Sequence, residues 1–231
     1  EGRHRSTGGN ALRAAVLGAN DGLVSNLSLV MGVAGATLAG QGVLIAGVAG
    51  LLAGAISMAL GEWLSVQSSR ELYQHQLDTE AEEIQTSPEE EAEELALIYE
   101  ARGLEKKVAR ELAEKVLANQ ETALDTLARE ELGINPEELG GSAWEAAITS
   151  FVLFALGAII PVAPFIFSTG MTAVFISIGL STLGLFALGA AITLFTGRTV
   201  WYSGMRMVIF GLLAAAVTFG IGRLIGVSIG G

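Results

Sequence analysis

The 231 residues include no cysteine and two histidines, 51% are apolar and only 16% are charged. Disulfides, thiolate zinc sites, iron–sulfur clusters and Cys nucleophiles are therefore excluded, and so is a His-rich metal centre; carboxylates, thioethers and carbonyls remain as metal ligands. The net charge of −11 is unevenly spread, because residues 70–142 hold 20 of the 24 acidic but only 7 of the 13 basic residues in a chain of mean hydropathy +0.54, so one polypeptide combines an apolar material with an acidic one.

The chain opens at Glu1 rather than Met, which leaves room for an upstream piece, and its first residues lack the apolar core and cleavage site of a signal peptide. Residues 14–38 form a long run of apolar and small residues, interrupted by Asn20, Asp21, Ser25 and Asn26. Gln41-Gly42 makes a short break, and residues 43–61 are apolar again, with helical character to Val66. Three more apolar runs follow at 146–167, 171–195 and 207–229. Each is long enough to cross a hydrocarbon core of about 30 Å. Pro161 and Pro164 should kink or end the third span. Gly18/Gly22, Gly50/Gly54 and Gly222/Gly226 follow Gly-x-x-x-Gly spacing, which suits either close helix packing within the chain or a dimer seam.

Between the second and third spans, residues 70–139 are dominated by Ala, Glu, Leu, Lys and Arg. Ser87-Pro88-Glu89 reads as a helix start with Ser at the N-cap and Pro at N1. Gly103 and Gly133-Ile-Asn-Pro136 read as breaks. The pattern predicts three helices, over 70–85, 88–101 and 105–132, and shows neither strand alternation nor an internal repeat. The fold class is all-α: a polytopic membrane protein of five transmembrane helices, with a three-helix cytoplasmic domain inserted between helices 2 and 3. The divisions are 1–67 for the N-terminal segment and first two spans, 68–142 for the acidic metal-binding domain and 143–231 for the last three spans.

Arg3, Arg5, Arg13, Arg70, Arg198 and Arg206 all fall on one side when five spans are threaded, and the loops at 39–42 and 168–170 carry no charge. Positive ends face the cytoplasm, which places the N-terminus and the insert there and the C-terminus outside. Arg223 breaks this pattern and is expected to snorkel or to pair within the bundle. A bacterial inner (plasma) membrane is the expected location.

Asp21 is the only acid well inside a span. An ionisable group at that depth costs several kcal/mol and faces a cavity or a partner; a protonated carboxyl bonding between helices is the structural alternative. Met31 and Met58 lie on the first two spans. A Met there ordinarily packs, but a thioether beside a carboxylate makes a borderline-soft site for a transition metal. Glu62 and Glu145 stand at span ends, as ligands at the mouth of a pathway or as interfacial charges. In the insert, Glu80/Glu83 and Glu91/Glu94 are each three apart and share a helix face. Brought together with Glu131 they would form an all-oxygen cluster suited to hard and borderline divalent cations, against the plainer reading of a solvated acidic face. Within the insert no Glu-x-x-His of a ferritin-like di-iron site occurs, since Leu72 stands three positions before its one histidine, His75.

This order of parts resembles the vacuolar iron transporter family, in a bacterial-type form. The first span reads Gly18-Ala-Asn-Asp-Gly-Leu-Val-Ser25, the second Ala53-Gly-Ala-Ile-Ser-Met-Ala-Leu-Gly61, the insert begins Glu80-Ala-Glu-Glu-Ile84, and the third span ends Ile160-Pro-Val-Ala-Pro-Phe165. These segments are similar to the family's own, and the likeness covers nearly the whole chain. It implies a homodimeric antiporter that moves Fe2+, and in some members Mn2+, out of the cytosol in exchange for protons. Asp21 corresponds to the membrane-embedded metal ligand and Met58 to its thioether partner. Glu80, Glu83, Glu91, Glu94 and Glu131 correspond to carboxylates of the cytoplasmic metal-binding domain. Ala14 and Gly50 stand where better-known plant members carry acids, and Leu127 and Ala128 where the family has a Met pair. Some bacterial relatives carry a ferritin-like domain ahead of the first span, so one is allowed upstream of Glu1.

Two function classes follow. In the first, a proton-coupled antiporter, the insert gathers Fe2+ or Mn2+ and passes it by Glu62 and Glu145 to Asp21 and Met58. In the second, a membrane-anchored metal buffer or sensor, the spans only hold the insert. No Ser/His/Asp, Walker or zincin pattern points to an enzyme or an organic cofactor, and no basic patch points to nucleic acid.

Overall fold

The computed structural model describes residues 8–37, 40–133 and 142–230, and within them every regular element is a helix. Arg3, Arg5, residue 39 of the expected 39–42 loop and positions 134–136 of the expected break lie outside the described residues, and Gln41-Gly42 is no break but part of the first turn of the second helix, which begins at Gly40. The elements are α1 (Gly8–Thr37), α2 (Gly40–Thr86), α3 (Pro88–Ala101), α4 (Lys106–Leu117), α5 (Gln120–Glu130), α6 (Ala143–Val162), α7 (Pro164–Phe167), α8 (Gly170–Thr196) and α9 (Val200–Gly230). Five of them, α1, α2, α6, α8 and α9, are long and apolar enough to cross a membrane. The chain is an integral, multi-pass membrane protein. Two compact units emerge, one of residues 1–62 and 144–231, the other of residues 63–143. Helix α2 contributes its apolar first part to the first and its polar remainder to the second.

In the first unit α1 packs against both α8 and α9. Leu23, Leu27, Val30 and Met31 of α1 are fully buried against residues such as Val174 and Leu185 of α8. Met31 is therefore a packing residue. Where lipid surrounds the helices, association comes from close van der Waals fit rather than from a hydrophobic drive, and the glycines supply that fit. A Cβ at Gly22 would collide with the carbonyl of Phe154 on α6, and one at Gly157 with that of Ala19 on α1. Gly222 and Gly226 of α9 lie against the α1 backbone at Gly32 and Ala36 in the same way. Gly50 and Gly54 face the side chains of Leu29, Asn26 and Phe154. All three Gly-x-x-x-Gly pairs thus have packing partners inside the chain.

Pro161 lies in the last turn of α6, and Pro164 opens α7 at its first position, so the third span ends at the prolines. The Pro161 carbonyl, left over at the helix end, accepts a 2.7 Å hydrogen bond from the buried Ser177 hydroxyl of α8. The connection between α8 and α9 is shorter than the apolar pattern suggests. Gly197 closes α8 in the left-handed conformation at φ 63°, and α9 begins already at Val200 rather than near Met207. Trp201 meets Phe186 edge-on at 5.5 Å, and the Arg206 guanidinium stands over the Tyr202 ring. These contacts extend the helix beyond its purely apolar stretch. Arg223 is exposed on α9.

In the second unit Leu95 and Tyr99 of α3, Ala109 and Ala113 of α4 and Leu127 of α5 form one small core, with Ile84 of α2 against it. The expected helix over 105–132 is two helices. Asn119 interrupts it: its carbonyl accepts from the amides of Thr122 and Ala123 and so starts α5 afresh, the behaviour of a residue type that favours N-caps. Ser87 does stand at the N-cap of α3 with Pro88 behind it, but its hydroxyl makes no capping bond; its backbone carbonyl accepts from Glu90 and Glu91 instead. An ion pair joins Arg102, after α3, to Glu130 of α5.

Candidate metal sites

The acidic site is built by three helices that each place one Glu in an apolar stripe. Glu80 precedes the core residue Ile84 by four positions on α2, Glu91 precedes Leu95 by four on α3, and Glu131 follows Leu127 by four just past α5. A spacing of four keeps two side chains on one helix face. When Ile84, Leu95 and Leu127 turn into the core, the three carboxylates must turn with them. Glu80 and Glu91 are each only 5% exposed. Ligand oxygens of Glu80, Glu91 and Glu131 all lie within 4.8 Å of one another, and each residue has a buried oxygen with no hydrogen-bond partner.

Such a group of like charges is costly without a cation. Burial pushes both Glu80 and Glu91 from an ordinary 4.5 up to about 7, and the charge of Glu131 adds most to the rest. Glu131 is raised as well, first by burial and then by Glu94, with which it also shares a hydrogen bond. Glu83 and Glu94 are exposed, yet their charges reach the buried carboxylates. Three carboxylates with free oxygens in hard-donor geometry fit a divalent cation, which would offset the repulsion that now favours protons. Leu127 and Ala128 are fully buried.

The second site lies in the membrane unit. Asp21 and Met58, 37 positions apart on α1 and α2, line one cavity of about 380 Å³. Ser25, Asn26, Gly50, Ser57 and Phe154 complete most of its wall. Asp21, Ser25 and Ser57 are exposed and Met58 is half-buried. Asn26 is 2% exposed; its Nδ2 donates to the carbonyls of Gly47 on α2 (3.1 Å) and Ala158 on α6 (2.8 Å). Asp21 supplies a carboxylate, Met58 a thioether and the wall further oxygens, a mixed donor set for a borderline transition-metal ion. Glu62 and Glu145 are exposed residues of this unit, outside the cavity wall. The role of Asn26 and the two serines was not legible from spacing alone, although Ser25 and Asn26 already stand out as polar breaks in the first span.

The profile of the VIT family matches residues 12–223. A protein of Acanthamoeba castellanii named vacuolar iron transporter is 38% identical, over 96% of this chain and 82% of its own length. Vacuolar iron transporter 1 of rice (Oryza sativa subsp. japonica) is 32% identical over 95% of this chain and 87% of its own. Vacuolar iron transporter 1 of Arabidopsis thaliana is also 32% identical, over 95% and 88%. With a family profile running from the first span nearly to the end of the last, and relatives above 30% identity along almost the whole chain, the protein belongs to the VIT family.

Proposed function

We propose that this protein is a transporter that exports Fe2+, with Mn2+ as a second cargo, from the cytosol in exchange for protons. The observation that carries the reading is the shared cavity of Asp21 and Met58, a carboxylate and a thioether on one wall inside apolar helices. A membrane anchor has no use for a carboxylate there. The similarity to proteins named vacuolar iron transporter supports iron as cargo.

In this reading the acidic unit works on the cytoplasmic side, concentrating the ion by its charge and holding it at Glu80, Glu91 and Glu131, with Glu83 and Glu94 around them. The ion passes Glu62 and Glu145 and reaches Asp21 and Met58. A proton arriving from outside competes for the Asp21 carboxylate and releases the ion outward. Exchange is obligatory because one carboxylate cannot hold both. A homodimer is part of the proposal: Asp21, Ser25 and Ser57 are exposed on the single chain, and a second copy against that face removes an acid from lipid. The location is a bacterial inner membrane, with the N-terminus and acidic unit cytoplasmic. A ferritin-like domain upstream of Glu1 remains compatible with it.

A buffer or sensor is the second reading, favoured only by the fact that the Glu80–Glu91–Glu131 group draws all its ligands from one unit. Flux separates the two. Protein in liposomes containing an Fe2+-quenched dye, under a pH gradient, should take up Fe2+ and lose that uptake in Asp21→Ala. Absence of both Fe2+ and Mn2+ flux in the wild type refutes transport and leaves the buffer.

A further inference from the structure

The side-chain carbonyl of Asn26 has no use in the fold, and its position suggests one in the cavity. Both partners of the Asn26 amide group, Gly47 O and Ala158 O, are acceptors only. They can bind nothing but the N–H₂ end, so the amide orientation is set by chemistry and not by choice of assignment. Oδ1 is thereby held on the opposite side. It is buried and has no hydrogen-bond partner. An orphaned buried carbonyl forfeits its hydration without compensation, and native interiors rarely keep one without a reason.

Gly50 sets no side chain of its own against that oxygen, and the Leu29 side chain packs beside it. A Cβ at Gly50 would stand 2.8 Å from Asn26 Oδ1, and Gly50 lines the cavity beside Asn26, Asp21 and Met58. Asn26 is 2% exposed and anchored to two other helices, so the oxygen is a rigid donor rather than a mobile one.

We propose that Asn26 Oδ1 is a third cargo ligand in the Asp21–Met58 cavity, and that this donor admits Mn2+ beside Fe2+. The inference rests on the transport reading above. A neutral carbonyl adds coordination without adding charge, so the ion still exchanges against the single Asp21 carboxylate. Carbonyl and carboxylate oxygens suit Mn2+, whereas a thioether favours softer ions. Without the amide oxygen the donor set becomes softer, and Mn2+ loses more than Fe2+.

The test uses the full chain in liposomes under a pH gradient, with initial rates measured over a range of free Fe2+ and free Mn2+. Gly50→Ser places a hydroxyl against Oδ1 and leaves both Nδ2 bonds intact; the displaced Leu29 side chain is 40% exposed and free to swing away. Its half-saturating Mn2+ should rise about tenfold, the lower end of what losing a group around a bound metal costs, and its half-saturating Fe2+ by clearly less. Asn26→Leu should show the same bias, and Gly50→Ser decides the matter if Asn26→Leu fails to fold. Unchanged half-saturation for both ions in Gly50→Ser, or an equal rise for both as from loosened packing, overturns the proposal. Asp21→Asn run in parallel separates the failures. Loss of flux there with an unaltered Gly50→Ser refutes the Asn26 ligand alone; wild-type flux in Asp21→Asn removes the cavity reading and this inference with it.

Discussion

Glu80 of α2 and Glu91 of α3 hold carboxylate oxygens within 4.8 Å of each other and of Glu131, and burial raises both to about 7. Between 4.5 and 7 the folded, metal-free unit therefore binds more protons than the unfolded chain does. Its stability contribution from these groups is largest near the lower limit and falls as pH rises to the upper one. Amide exchange in α3 of the metal-free protein, corrected for intrinsic rate, should be slower at pH 5.5 than at pH 7.5. Faster exchange at the lower pH would contradict the cluster.

Metal binding at the same site must expel those protons. Mn2+ affinity of the purified protein should increase from pH 6 to pH 8, with proton release visible as a dependence of the calorimetric heat on buffer ionisation enthalpy. A heat independent of buffer would mean that the carboxylates are already ionised.

Glu91→Gln keeps the shape of α3 but removes one charge from the group. The apo protein should gain stability, because a like charge disappears from a buried cluster. Mn2+ affinity should drop by about tenfold or more, since one ligand carboxylate is lost. Thermal melting with and without Mn2+ reads both effects at once: a higher apo midpoint and a smaller metal-induced rise.

Gly222 and Gly179 offer a paired test of the membrane packing. A methyl at Gly222 would enter the backbone of α1 at Gly32, whereas one at Gly179 meets nothing within 4 Å. Gly222→Ala should cost about 1–3 kcal/mol, as overpacking does, and Gly179→Ala should be neutral. Thermal midpoints in detergent compare the two.

Met58→Leu conserves volume, so the fold should lose less than about 1.5 kcal/mol. The thioether goes and the Asp21 oxygens stay. Fe2+ flux should fall relative to Mn2+ flux, the opposite bias to that expected from covering Asn26 Oδ1. Equal loss of both ions would deny the sulfur a place in the coordination shell.

The chain has no native cysteine, which makes Ser25→Cys a clean probe of the proposed dimer. Ser25 is exposed one turn beyond Asp21. If two copies meet on that face, mild oxidation should yield a covalent dimer, since a disulfide requires Cα atoms within about 7 Å. Only monomer under conditions that preserve flux would place the seam elsewhere.

Length and apolar character alone account for the five spans, because crossing a membrane demands about 20 apolar residues and little else. Composition likewise marks residues 70–139 as helical and acidic. The break at Asn119 escaped that reading, since α4 and α5 share one composition and only the carbonyl bonds from Thr122 and Ala123 reveal the restart. The start of α9 at Val200 escaped it too, because Trp201 and Arg206 are held by ring contacts that hydropathy does not register.

Asp21, Met58 and the five Glu residues were nameable from residue type, spacing and family likeness. Which of the 20 acids in residues 70–142 would converge was a matter of tertiary structure. A period of 3.6 tells which face of a helix a side chain occupies, and the four-residue offsets to Ile84, Leu95 and Leu127 point Glu80, Glu91 and Glu131 inward. It does not tell how far one helix slides or turns against another. That register brings carboxylates 51 positions apart to within 4.8 Å. It also sets Met58 beside Asp21 and leaves Asn26 Oδ1 without a partner. Residue content and the helical period set what the helices are made of and which faces they bury. Packing between helices, settled by glycine contacts and by the two carbonyls that hold Asn26, decided which donors meet.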